Sequence, residues 1–337
     1  MIAQVDKAYL KDRPGSAIRR IVTRLLFEGR PVTTNRRWLN TIVFAHFALE
    51  KRLGIWKSVK KPIFIMGTGR SGTTILATLL SFHPHVGLLN EPKAMWHAIY
   101  AGEDVNGNYT TTLPARYHLG ASDVNSRTKQ AAHRLFGAYS TLTFSQRIVD
   151  KNPEIVFRVP FVQAIFPDAK FIFLIRDGWD TIRSIASWSE REVVQVNGET
   201  HDWWGVNRRK WHIMVKELVV GNPLFDGRES SLQKLERQID MAAVEWIVTM
   251  QAGMAQYQQQ PDHIYLLNYQ DLVQVPQQTL ADLLAFCELT QDSELLQYAQ
   301  ERLSEPSQYK PVALDKSIAD LFQQQIDAVE NLMQGFS

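Results

Sequence analysis

From residue 62 onward, short apolar runs alternate with longer stretches of helical spacing. PIFIMG (62–67) is an apolar run ending in glycine, the pattern of a buried parallel strand. SGTTILATLLSF follows, with Ile75, Leu76, Leu79 and Leu80 on one side of a predicted helix. HPHVGLLNEP (83–92) closes this unit with a short strand and a turn. A second unit opens at IVDKNP (148–153), passes through a helix to the strand KFIFLIRDG (170–178), and continues in the helix WDTIRSIASW. The long helix LQKLERQIDMAAVEWIVTMQAGMAQY leads to another strand, HIYLLNY (263–269), and then to TLADLLAFCEL. Strands alternating with helices predict an α/β fold with a mostly parallel central sheet covered by helices on both faces. In such sheets ligands sit at the carboxyl ends of the strands.

Two regions stand apart from this alternation. Residues 1–60 read as two or three helices broken at Pro14, Gly29–Pro31 and Gly54, a basic N-terminal extension packed on a domain spanning 61–337. Residues 189–232 are polar and aromatic without a clear period and read as an insertion. Residues 106–126 are polar and turn-rich. The composition, 45% hydrophobic and 21% charged over 337 residues, is that of an ordinary globular protein.

Net charge is only +2, but the first sixty residues are strongly basic, with eight arginines and five lysines against Asp6, Asp12, Glu28 and Glu50. A solvated basic face explains this pattern. A surface for anionic lipid or an acidic acceptor also explains it, because basic residues flank the apolar helix WLNTIVFAHFAL (38–49). Nucleic acid is not expected, since the basic residues are not interleaved with a stacking platform. The single cysteine, Cys287, allows no intrachain disulfide and suits a reducing compartment. The first residues lack a signal-peptide core, and no window reaches the roughly 18 apolar residues of a membrane span. The expectation is a cytoplasmic protein with peripheral membrane contact through residues 1–61.

The chemistry concentrates in FIMGTGRSGTT. Gly67 and Gly72 have the spacing of a phosphate loop, but Thr73 stands where a triphosphate-hydrolysing loop carries lysine. A strand, a glycine-rich turn and a helix start converge backbone N–H groups on an anion. Ser71, Thr73 and Thr74 add hydroxyls, and Arg70 adds a planar fork for phosphate or sulfonate oxygens. A glycine turn with a capping threonine is the plainer reading of any one of these features alone. LIRDGWDTIRS supplies a second anion site. Arg176 stands at a strand end, Ser184 lies about two helical turns on, and Arg183 is a nearby alternative. A capping Asp177 paired with Arg176 would also fit this stretch. An arginine at the strand end is poorly suited to holding magnesium, which argues for a doubly phosphorylated donor bound without metal.

With these motifs in order, the chain resembles the sulfotransferases that use 3′-phosphoadenylyl sulfate (PAPS), and most closely the RSGTT form of the tyrosylprotein and related bacterial enzymes. HPHVGLLNEP and LLNYQDLVQVPQQTLADLLAFCEL match that family in order and spacing. The resemblance covers about 62–188 and 240–312 and implies a three-layer P-loop-type fold. It implies that Arg70, Ser71, Gly72, Thr73 and Thr74 hold the 5′-phosphosulfate, and that Arg176 and Ser184 hold the 3′-phosphate. Tyr269 would contact the nucleotide, and Ser304 and Lys310 would belong to a late segment closing over the donor. Glu91 would be the catalytic carboxylate and Lys151 the lysine steadying the leaving group, with Arg70 assisting. PAP would be the product, with no metal.

For the same residues without the family pattern, Glu91 reads as a cap on the helix after Pro92, and Lys151 as a solvated charge. His97 is a rival base, and His83 reads as structural. Some relatives carry an arginine where this chain has Trp188. The acceptor is expected to bear a hydroxyl, on a small molecule, sugar, lipid or peptide, with residues 189–232 on its side of the site. A P-loop kinase or hydrolase and a non-catalytic nucleotide-binding module are the competing classes.

Overall fold

In β1 (Ile63–Gly67) every residue is buried, so the strand must be covered on both faces. The computed structural model, which describes residues 5–34, 36–304 and 310–334, meets that demand. β1 lies at the centre of a five-stranded sheet with β2 (Val86–Asn90), β3 (Arg147–Lys151), β4 (Lys170–Ile175) and a last strand (Ile264–Asn268). Within the sheet the chain order of these strands is second, third, first, fourth and last, and every pairing is parallel.

Alternation along each strand sorts side chains onto two faces. Phe64 and Met66 join Phe171 and Phe173 in one core, while Ile63 and Ile65 join Val149, Ile172 and Leu174 in the other. The expected three layers follow from this division, with a fully parallel central sheet.

The helices supply the outer layers. The extension forms α1 (Lys7–Asp12), α2 (Pro14–Leu26) and α3 (Leu39–Glu50). After β1 comes α4 (Thr73–Phe82), whose Leu76, Leu79 and Leu80 enter the second core. α5 (Lys93–Ile99) follows β2, α6 (Ser126–Leu142) precedes β3, and α7 (Val159–Ile165) lies between β3 and β4. α6, which the apolar pattern left unassigned, is started by Asn125, whose side chain accepts from the Arg127 and Thr128 backbone N–H groups.

α8 (Gly178–Arg191) follows β4 and leads into the insertion. There β5 (Val194–Val196), β6 (Glu199–Asp202) and β7 (Gly205–Val206) form a separate antiparallel sheet, where the sequence pattern predicted no regular structure. Its first turn is Asn197–Gly198, both at positive φ (53° and 81°), as a two-residue hairpin requires. α9 (Arg209–Met214), α10 (Glu229–Leu232) and the long α11 (Gln238–Gln259) lead to the last sheet strand, β8. α12 (Tyr269–Gln274), α13 (Pro276–Phe286), α14 (Ser293–Arg302) and α15 (Ala319–Gln334) complete the chain. No described helix is long and apolar enough to cross a membrane.

The extension is tied to this body by polar bonds as well as packing. The Tyr9 hydroxyl donates to the Ser81 carbonyl at 2.7 Å, and Arg13 pairs with Asp292 at 2.7 Å. α2 packs against β2, and α3 against α5 and α6.

Candidate active site

Each of the five parallel strands delivers a candidate residue at or just beyond its carboxyl end. In spatial order across the sheet these are Glu91 after β2, Lys151 ending β3, the glycine loop after β1, Arg176 after β4 and Tyr269 after β8.

The loop holds three positive φ values within six residues, at Gly67 (148°), Arg70 (70°) and Gly72 (102°). Such a run turns successive N–H groups inward to form an anion cradle. Gly72 is the cap position of α4 and no side chain caps that helix, so its first N–H groups are left for a ligand. Glycine at two of these positions is enforced by contact. A Cβ on Gly67 would come 2.6 Å from the Leu174 carbonyl oxygen, and one on Gly72 would come 2.4 Å from the Tyr269 ring. The hydroxyls of Ser71 and Thr68 are buried without a hydrogen-bond partner in the described structure. Uncapped helix start, inward amides and orphaned hydroxyls together fit a phosphate or sulfonate group.

The second anion set adjoins the first. Arg70 Nε donates to Ser184 Oγ at 3.2 Å, and Arg176 Nη1 donates to the Arg70 carbonyl at 3.3 Å. The Arg176 guanidinium lies 4.8 Å over the Tyr269 ring and pairs with Asp180 at 3.2 Å. Asp177 caps α8 by accepting from the Asp180 N–H, so the capping reading holds for Asp177, whereas Arg176 pairs with Asp180. Enclosure pushes the Arg70 pKa down, and the neighbouring Arg191 and Arg176 charges push it further. Arginine stays charged at any ordinary pH, so the shift marks a spot where an incoming anion would relieve both costs. Ser304 is exposed, and the Lys310 carbonyl lies 3.5 Å from Arg183 Nη1. The stretch 305–309 of the expected closing segment lies outside the described residues.

Glu91 and Lys151 are ion-paired at 2.5 Å across the β2–β3 edge. α5 starts without a side-chain cap, so Glu91 is not a helix cap, and Lys151 is buried rather than solvated. Burial raises the Glu91 pKa, but Lys151 and Lys93 outweigh it and hold the carboxyl below its usual range. The Glu91 backbone is itself strained, at φ 49°. A second pair, Lys93–Glu154 at 3.0 Å, stands beside the first and brings Glu154 down to about 2. His97 packs between Phe44 and Tyr109 and does not line this cavity. His83 bonds Thr290, as a structural histidine does.

Glu91, Lys151 and the loop line one cavity of about 510 Å3. The insertion roofs it. Trp203 sits directly on the loop, where a Cβ on Gly69 would meet its ring at 2.4 Å, and it meets Trp188 edge-on at 5.3 Å. Its indole N–H donates to Glu245 Oε2 at 2.6 Å, and Lys210 pairs with the other Glu245 oxygen at 2.6 Å. Trp204 and Trp211 are instead buried in the core. The N-terminal extension closes another side, with Arg24, Arg30, Pro31 and Thr33 among the lining residues. Sequence reasoning missed Lys93, Glu154, Lys210, Glu245 and this wall. Only the adjacency of Lys93 to Glu91 and of Glu154 to Lys151 could have flagged any of them.

Residues 62–220 match the sulfotransferase family. A protein-tyrosine sulfotransferase of Drosophila melanogaster is 27% identical over 189 residues, 55% of this chain and 36% of its own length. The nodulation protein NoeE of Sinorhizobium fredii is 29% identical over 129 residues, 37% of this chain and 30% of its own. The chain thus spans about a third of the length of these curated relatives. Among solved structures, a sulfotransferase of Mycobacterium tuberculosis aligns with 96% of this chain and 93% of its own, at 14% identity and a TM-score of 0.46. The glycine loop and the paired strand-end residues lie inside the matched span, so the part of the chain that carries the candidate site is the part similar to the sulfotransferase family.

Proposed function

We propose that the chain transfers a sulfuryl group from PAPS to an acceptor hydroxyl by in-line displacement, without a metal. The observation that carries this reading is one cavity lined both by an uncapped phosphate loop and by a carboxylate paired to a buried lysine. PAPS supplies an activated sulfuryl group on a phosphate that can depart.

The chain's own residues divide the remaining work. Arg70, Ser71, Gly72, Thr73 and Thr74 hold the 5′-phosphosulfate, and Arg176 and Ser184 hold the 3′-phosphate. The reach of Arg70 to Ser184 supports a single donor gripped by both sets. Tyr269, beneath the Arg176 guanidinium, contacts the nucleotide. Ser304 and Lys310 belong to the closing segment. Glu91 accepts the acceptor's proton, and its lowered pKa keeps it in the accepting form at neutral pH. Lys151 offsets the negative charge that grows on the leaving oxygen. A loose transition state of this kind calls for positioning and charge stabilisation, which fixed loop amides and buried cations provide.

Thermal-shift titration tests the reading. Adenosine 3′,5′-bisphosphate without magnesium is expected to raise the melting temperature more than ATP with magnesium does. The reverse order would favour a kinase or hydrolase. Nucleotide binding without sulfate transfer across a broad panel of alcohols, phenols, sugars and peptides would favour a non-catalytic module.

A further inference from the structure

Helix α3 contains one charged residue, Glu50, and apolar side chains on every side. A helix of that kind is normally covered all round. Here only its inner face is covered, by α2, α5 and α6, with Val43 and Phe47 buried. Its outer face leaves Trp38 66% and Ile42 51% exposed, and Leu49 55%, with Ile55 beyond it at 79%. Positions 38, 42, 45 and 49 fall on one helical stripe, and Ala45 is exposed between the larger residues. In α2 the same exposure recurs at Ile18, Ile21 and Leu25. A lone exposed leucine needs no explanation, but two neighbouring helices with outward apolar stripes do.

The charges around these stripes are one-sided, for a reason invisible in the sequence. Glu28 is buried against Arg20 at 2.9 Å, and Glu50 is buried beside His46 at 3.3 Å. Asp6 is taken up by the Tyr9 N–H, the Tyr298 hydroxyl and Arg302. Asp12 is therefore the one exposed carboxylate among the extension's described residues. Lys11, Arg36, Arg37, Arg52, Lys57 and Lys60 are all exposed, three of them within three residues of an end of α3.

We propose that the outer faces of α2 and α3 form a docking surface for an anionic lipid bilayer. The apolar stripes enter the headgroup–acyl boundary, and the flanking lysines and arginines meet the lipid phosphates. Charge complementarity selects this occupant. A second copy of the chain would set the same cationic rim against itself, whereas an anionic bilayer matches both the stripe and its rim. The segment joining α2 to α3 also walls the catalytic cavity, so docking brings that wall to the membrane surface.

Co-sedimentation with vesicles tests this. The protein is expected to sediment with vesicles of phosphatidylcholine mixed with phosphatidylglycerol, and not with phosphatidylcholine alone. Ile42→Ser combined with Leu49→Ser is expected to lower partitioning about tenfold or more, since both side chains lose their apolar contact. Arg36→Glu combined with Arg52→Glu is expected to lower it by about fivefold or more per residue, and high salt to mimic that loss. All four positions are exposed and none lines the cavity, so the thermal shift caused by adenosine 3′,5′-bisphosphate must survive in both variants. Failure of that shift in the parent protein would count against the donor reading, not against docking. Equal binding to neutral vesicles, or variants that bind like the parent, would overturn the proposal. So would sedimentation velocity showing a dimer that the serine variant splits and that binds no vesicles.

Discussion

Lys151 Nζ lies 2.5 Å from Glu91 Oε1, and the two side chains are unequally covered, the lysine 2% exposed and the glutamate 42%. Both residues line the cavity, the carboxylate more openly, and that carboxylate offsets the charge of the covered ammonium. Glu91→Gln keeps a hydrogen-bond acceptor for Lys151 but cannot take a proton. It is expected to retain the thermal shift with adenosine 3′,5′-bisphosphate and to lose about 10²–10⁴-fold in turnover. His97→Ala is expected to leave turnover unchanged, because that ring lies outside the cavity. Equal turnover in Glu91→Gln and the parent would remove Glu91 as the base.

The pH dependence follows from the same pair. The folded Glu91 pKa is depressed, so the carboxylate stays ionised until the pH falls below the usual carboxylate range. Turnover in the parent is therefore expected to hold through the weakly acidic range and to fall only at lower pH. In Lys151→Met the larger of the two attractions that lower the pKa is removed, while burial and the weaker pull of Lys93 remain. The acid limb of the pH–rate profile should then move upward. A limb that stays in place would show that another group sets it.

The donor-side arginine offers a binding prediction. Arg176 bonds a carbonyl, pairs with Asp180 and covers Tyr269. If it holds the 3′-phosphate, Arg176→Ala should weaken adenosine 3′,5′-bisphosphate binding by about tenfold to a hundredfold, the value of a charge-assisted bond. Binding of adenosine 5′-monophosphate, which lacks that phosphate, should change much less. Calorimetry that shows equal losses for the two ligands would mean the residue supports the loop rather than the phosphate.

What could be read in the sequence follows the range over which each signal acts. The loop and Arg176 were legible because strand, turn and helix start are contiguous, so their shared edge follows from topology, whereas Tyr269 was marked only by the family resemblance. The Asn197–Gly198 turn is a strong hairpin signal, but its flanking strands are too short to show a period. Lys210 and Glu245 stand 35 positions apart, and nothing local marks them as partners. Sequence alone left Glu91 between cap and base, and Lys151 between solvated charge and site residue. Distinguishing these needs to know what covers Lys151, which is a property of the folded neighbours. The basic count of the extension was visible, but not the burial of Glu28 and Glu50 that leaves its surface one-sided.

Lys210 and Glu245 support the roof of the cavity, and their pairing makes a stability prediction. Both side chains are about 95% covered, and Glu245 also receives the Trp203 indole N–H. Lys210→Met leaves that carboxylate buried without its cation, which is expected to cost about 3–5 kcal/mol. Lys210→Met combined with Glu245→Gln removes the stranded charge and keeps an acceptor for Trp203, and should recover much of the loss. Chemical denaturation of the three proteins reads the coupling directly, and additive losses would mean that the pair does not act as a unit.

A last prediction concerns Asp150, which neighbours Lys151 in β3 but whose side chain accepts from the Trp96 indole N–H at 2.7 Å. It is fully buried, and burial pushes its pKa up to about 8, above the 3.8 of a free aspartate. The folded state thus binds this proton more tightly than the unfolded chain does. By linkage, the resulting stability is complete below about pH 4, shrinks as the pH rises, and is gone once the pH passes about 8. Asp150→Asn keeps an oxygen for Trp96 and cannot ionise. Melting temperatures measured across this window should fall more steeply with pH in the parent than in Asp150→Asn, so that the variant gains on the parent as the solution becomes alkaline. Parallel curves would mean that Asp150 is ionised in the folded protein and that its charge is met by a partner other than Trp96.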